Sequence, residues 1–218
     1  MTAYHGGKQR IGKKLAKVIY DESMDISEEE GFQIKGYCEP FSGMLGVFQH
    51  IPELFKEHKP ELEYKAGDKN QSVIMMWKAV QQGWKPPSNV SGEEYDRLKN
   101  APDSAMKGYV GHQYSFGGQY FKGYSPKYGK ASDSSPAVKR VMNIAKKVSN
   151  VSFSAKPYTQ YTNLKNYVIY CDPPYSNREQ WYKGSFDSEK FYEWCREMSK
   201  NNIVFVSEYK APDDFEKI

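Results

Sequence analysis

Asp172, Pro173, Pro174 and Tyr175 close the segment NYVIYCDPPY, where an apolar run of strand type ends in an acid, two prolines and a ring. With proline near 5% of average usage, DPPY arises by chance in roughly one chain of this length in a thousand. The prolines fix φ and remove two backbone donors, so the carbonyls beside them stand in a rigid array. Asp172 and the Pro173 carbonyl can both accept from one amino group, and Tyr175 can lie flat on the ring that bears it. That combination suits an exocyclic amine on a planar heterocycle. A proline turn with a packed tyrosine uses the same residues, so the tetrapeptide alone leaves both readings open.

A second chemistry-bearing stretch is EPFSGMLGVF, residues 39 to 48. A strand, an acid and a glycine turn entering a helix let backbone approach a nucleotide-like cofactor. Asp68 follows Gly43 by 25 residues and ends the next apolar segment. A carboxylate there can accept from both hydroxyls of a ribose. A tight strand–helix connection is the plain alternative. The N-terminal YHGGKQR, residues 4 to 10, offers a basic glycine turn or simply a loose end.

These residues need a frame. QIKGYCEPF (33–41), ELEYKAGD (61–68), VSFSAKPY, NYVIYCD and NIVFVSEY (202–209) read as strands. Helical spacing appears over 11–22 (Ile11, Leu15, Val18 and Ile19 inward), 70–84 (Val73, Met76, Trp77 and Val80), 136–148 and SEKFYEWCREMSKNN. A further helix after the turn at Gly43 is interrupted at Pro52. In SPAVKRVMNIAKKVSN, Ser135 can cap and Pro136 can open the helix, with Val138, Val141, Met142, Ala145 and Val148 as its apolar stripe. Apolar strands alternating with helices predict an α/β fold with a parallel sheet covered on both faces. Ligands in such sheets bind beyond the carboxyl ends of the strands, where Glu39, Asp68, Asp172 and Glu208 all fall. From residue 86 to 135 Gly, Pro, Ser, Tyr and Lys dominate and periodicity is weak, which marks an insertion.

The net charge of +4 tolerates a polyanionic partner without demanding one. The odd cysteine count, Cys38, Cys171 and Cys195, matches no zinc spacing and predicts reduced, buried thiols and no metal. No apolar run reaches 18 residues and MTAYHGGKQR lacks a signal-peptide core, so no membrane association and a cytoplasmic setting are expected.

YHGGK, EPFSG…GVF, AGDKN and CDPPY, in this order, resemble the motifs of the Dam-type (group alpha) DNA adenine-N6 methyltransferases, most closely the short phage-type members. YSFGGQYFKGY and VSEYKAPDDF resemble further segments of those members, so the likeness runs over nearly the whole chain. The resemblance implies a Rossmann-like S-adenosylmethionine-dependent methyltransferase fold. Its catalytic domain would comprise 1–88 and 151–218, with a target-recognition insertion at 89–150. It further implies S-adenosyl-L-methionine as cofactor, contacted by Tyr4, Lys8, Glu39, Phe41, Gly43, Asp68 and Asp172. Asp172, Pro173, Pro174 and Tyr175 would form the catalytic adenine pocket. Double-stranded DNA would be the partner, bound by a monomer or by two copies, in a bacterial cell or a phage-infected host. A restriction partner is a further possibility of the family. Asp172 favours adenine, because cytosine-N4 enzymes more often carry Ser there and glutamine enzymes Asn. An RNA adenine methyltransferase, or a degenerate relative that binds DNA without transfer, stays open. Two features depart from the family pattern. Leu45 stands where the turn usually has its second glycine, so it must adopt a glycine-like conformation or the turn must differ. The chain also stops at Ile218, where the family has a closing β-hairpin.

Within the insertion, Lys107, Lys122, Lys127, Lys130, Lys139, Lys146 and Lys147 are candidate phosphate contacts, and Arg140 is a candidate guanine reader. Lys122, Lys127, Lys130 and Arg140 are singled out as the DNA-binding set. Ordinary solvated side chains are the competing reading for each.

Overall fold

The computed structural model describes residue 4 and residues 6–125, 136–174 and 186–218. Five strands form one all-parallel sheet in the order β3-β2-β1-β4-β5. They are β1 (Gly36–Glu39), β2 (Glu63–Asp68), β3 (Val151–Ala155), β4 (Tyr167–Cys171) and β5 (Ile203–Val206). The α/β reading therefore holds, and so does the parallel sheet. Every residue of β1 and β4 is buried, as two-sided cover of central strands requires. Their side chains alternate between two cores. Tyr37, Val168 and Tyr170 join one, while Cys38, Tyr167, Ile169 and Cys171 join the other.

The first core lies under α1 (Gly12–Glu29), α2 (Ile51–Phe55), α3 (Gln71–Gln81) and α6 (Pro136–Lys147). The second lies under α7 (Ser188–Ser199), whose Phe191, Trp194, Cys195 and Met198 all point inward as their spacing predicts. Strand order runs outward from β1 in one direction and from β4 in the other. The sheet thus reverses between these two strands, and a crevice opens at their carboxyl ends.

Three local expectations are corrected. On α1 the buried positions are Gly12, Ala16, Ile19 and Ser23, while Ile11 and Val18 face solvent. Small residues win because the helix lies against the glycine turn: a Cβ on Gly12 would strike the Gly46 carbonyl. Pro52 does not interrupt a helix but sits in the first turn of α2, where its missing N–H costs nothing. Among the described residues, the weakly periodic stretch after residue 86 holds two α-helices, α4 (Gly92–Asn100) and α5 (Ala105–Gln113). Ser91 caps α4 through the Glu94 N–H at 3.1 Å, and Ser104 caps α5 through Lys107 N–H at 3.1 Å. α5 packs on α3 so closely that a Cβ on Gly108 would strike the Ser72 carbonyl. Tyr95, Tyr109 and Tyr114 of this region and Val141 of α6 belong to the same core as the sheet. Among the described residues, no helix is long and apolar enough to cross a membrane.

Candidate functional site

β1 ends at Glu39, β2 ends at Asp68, and Asp172 directly follows β4. Three of the four acids read from the sequence therefore stand directly at the carboxyl edge, while Glu208 follows the end of β5 by two residues. Glu39 and Asp172 flank the point of strand reversal and line one cleft with Tyr4, Lys8, Phe41 and Ser42.

The cleft is built by backbone that glycine and its neighbours bend. Gly43 has φ 43° and Leu45 has φ 56°, so the leucine does adopt the left-handed conformation. Four of the turn's backbone polar groups are held by side chains. Gly43 N–H donates to Asp68 Oδ2 at 3.1 Å, and the buried Trp77 Nε1–H donates to the Gly43 carbonyl at 2.9 Å. Gln49 Nε2 donates to the Leu45 carbonyl at 3.1 Å, and Gln9 Nε2 to the Met44 carbonyl at 3.0 Å. The Leu45 side chain is wholly buried in the main core. Asp68 also accepts from the Asn70 N–H at 2.8 Å. It anchors the turn from behind rather than lining the cleft.

Lys8 reaches across from the N-terminal segment and forms an ion pair with Asp172 Oδ1. The side chains of this pair are 10% and 18% exposed, so the two charges are largely withdrawn from water. Glu39 is more deeply buried and accepts from the Tyr37 hydroxyl at 2.7 Å. Burial pushes its carboxyl well above the usual range. The Tyr37 bond opposes this, and the neighbouring Asp172 adds to it. Burial also raises Asp68, against the two amide bonds it accepts. Ser42 Oγ is buried in the cleft wall with no hydrogen-bond partner among the described residues. Buried acids and an unpaired hydroxyl call for a ligand that brings donors or positive charge. Among the described residues no group of three or more His, Cys, Asp and Glu is placed to hold a metal ion.

Of the residues singled out in the sequence, the structure brings Tyr4, Lys8, Glu39, Phe41 and Asp172 to one cleft, with Gly43 and Asp68 hydrogen-bonded behind it. Pro173 is buried and Pro174 half-buried after Asp172. Tyr175, Lys127 and Lys130 lie outside the described residues. Lys122 is exposed on the turn after α5. Arg140 is half-buried on α6 with its Nε buried, so its guanidinium is partly packed rather than fully presented to solvent. Phe41 stacks on Tyr158 with centroids 5.4 Å apart, extending the cleft wall into the α7 core.

Periodicity and motif spacing did not disclose Ser42, Gln9, Gln49 or His112. His112 of α5 is buried, and its ring lies 4.6 Å from Tyr4 and 4.8 Å from Tyr120. Burial drives its imidazole down to about 4, against a bond to the Gly118 carbonyl at 2.9 Å. No protein-family model matches the chain, and no curated protein matches it significantly.

Proposed function

We propose that the chain is an S-adenosylmethionine-dependent DNA adenine-N6 methyltransferase with a Rossmann-like methyltransferase fold. The observation that carries this reading is the placement of Glu39 and Asp172 on adjacent parallel strands at the reversal of the sheet, beside a glycine turn tied to Asp68. DPPY supplies the chemical half of the argument.

When bound, S-adenosylmethionine supplies an electrophilic methyl group on a cationic sulfur. Tyr4, Lys8, Glu39 and Phe41 are the cleft residues that would hold it, on the turn that Asp68 fixes through the Gly43 amide. Glu39 offers a buried acid to a cationic group. Adenine N6 is a weak nucleophile because its lone pair is delocalised into the ring. Asp172 and the Pro173 carbonyl accept its hydrogens and favour a pyramidal nitrogen with a localised pair. Lys8 holds the Asp172 carboxylate in one orientation. Positioning supplies much of the rate, and the amino proton can leave late, so no strong base is needed. Within a duplex the adenine must leave the stack, and the ring of Tyr175 is the expected platform for it.

The test is tritiated-methyl transfer to unmethylated double-stranded DNA and, in parallel, to RNA, followed by nucleoside mass spectrometry. N6-methyladenine in DNA that disappears with Asp172→Ala is the expected result. Undiminished transfer by that variant, or no methylated adenine from the folded wild type, overturns the assignment. Product confined to RNA moves the substrate class and leaves the chemistry intact.

A further inference from the structure

We propose that His112 is a positioning residue that clamps Tyr4 over the glycine turn, so that the α4–α5 region sets how tightly the cleft holds its cofactor. The cofactor's identity rests on the function proposed above. The clamp itself rests on geometry alone.

Tyr4 occupies the space beside Gly43. A Cβ on Gly43 would lie 2.6 Å from Tyr4 Cζ, so the phenol ring lies directly on the turn. Gly7 N–H donates to the Tyr4 carbonyl at 3.1 Å, and Ile11 N–H to the Lys8 carbonyl at 3.1 Å. Tyr4 is therefore one short turn from Lys8, whose ammonium pairs with Asp172. What meets Tyr4 comes from a distant part of the chain. The His112 ring stands 4.6 Å away at 46°, in the range where aromatic pairs attract. His112 cannot drift, because its Nδ1 must donate to the Gly118 carbonyl at 2.9 Å and its ring also packs on Tyr120. Gly117 and Gly118 have φ 58° and 70°, a conformation that favours glycine, so the acceptor is placed by a turn few sequences could make. Contacts thus run without a break from Gly118 through His112 and Tyr4 to Gly43 and Asp68.

Two readouts test the clamp in the full chain: amide hydrogen exchange over residues 6–11, and calorimetric binding of S-adenosylhomocysteine as the probe. His112→Ala should speed exchange there and weaken the probe about 5- to 10-fold, the worth of one aromatic pair. His112→Phe keeps a flat ring against Tyr4 but loses the bond to the Gly118 carbonyl, so it should recover part of both losses. Tyr4→Ala removes both the ring that His112 holds and that ring's own place in the cleft, so it should weaken the probe at least as much, with the double variant no weaker than Tyr4→Ala alone. Wild-type exchange in His112→Ala, failure of Phe to rescue, or additive losses in the double variant would overturn the proposal. A wild type that does not bind the probe at all refutes the cofactor reading instead, and the exchange data alone then decide the clamp.

Discussion

Replacing Leu45 by glycine sets two terms of opposite sign against each other. At φ 56° a leucine backbone carries roughly 1–2 kcal/mol of strain that glycine does not. Backbone preference alone therefore expects a more stable variant. The side chain argues otherwise, because Leu45 is 0% exposed and packed in the main core. Truncating such a leucine costs about 2–5 kcal/mol, and the greater freedom of glycine in the unfolded chain adds about 0.5–1 kcal/mol. The net expectation is a loss of about 3 kcal/mol. Equilibrium urea unfolding followed by tryptophan fluorescence measures it. With a slope of about 3 kcal/mol per molar for a chain of this size, the midpoint should fall by about 1 M. Leu45→Met conserves volume and should stay within about 1.5 kcal/mol of wild type. A midpoint for Leu45→Gly that is unchanged or raised would show that strain outweighs burial. The Gln9 and Gln49 bonds to the turn would then be restraining an unfavourable leucine.

Other perturbations follow from the same geometry. Burial holds the Glu39 carboxyl above its ordinary value of 4.5, so the folded protein binds that proton more tightly than the unfolded chain does. Its contribution is complete below pH 4.5 and is lost as pH rises through the folded value. Glu39→Gln should flatten the fall of Tm with pH above 4.5, leaving the slope of the same sign from Asp68; parallel profiles would contradict this. Gly108→Ala would gain about 1 kcal/mol in an open helix, but here its Cβ meets the Ser72 carbonyl. A loss of about 1–3 kcal/mol is expected, lowering Tm by about 5 °C, and a raised Tm would mean that α5 can move off α3. Asp172→Asn should cut methyl transfer by about 100-fold or more while the circular dichroism spectrum stays as in wild type, since the carboxylate's role is in the site. Transfer within a few-fold of wild type would remove Asp172 from it.

The centre of the parallel sheet was legible because β1 and β4 are buried on both sides. NYVIYC reads as an apolar run stopped by Asp172, and GYC as a short one stopped by Glu39 and Pro40. α7 was legible because one face meets the sheet and the other meets water, which gives a clean stripe of Phe191, Trp194, Cys195 and Met198. α5 was not, for the opposite reason. Residues 108 to 113 are all buried, and a helix covered on every side has no polar face to set a period. Its glycines, poor helix formers, are there because Ser72 and the rings of Tyr120 and Phe121 come too close for a side chain. The start of α4 did carry a signal, with Ser91 three residues before Glu94 in the pattern of a capping box.

By itself the sequence determined which residues end the strands, and so which acids can share an edge: Glu39, Asp68 and Asp172. That follows because pattern and termination are local properties of the chain. Only the tertiary structure decided their grouping. Strand order puts β1 beside β4, so Glu39 and Asp172 line one cleft while Asp68 turns to the backbone of Gly43. It also decided that Lys8 belongs with Asp172 and that His112 stands against Tyr4. Neither pairing leaves a trace in composition or spacing, because contacts between residues far apart in the chain are chosen by the packing of whole elements and not by any short stretch of residues.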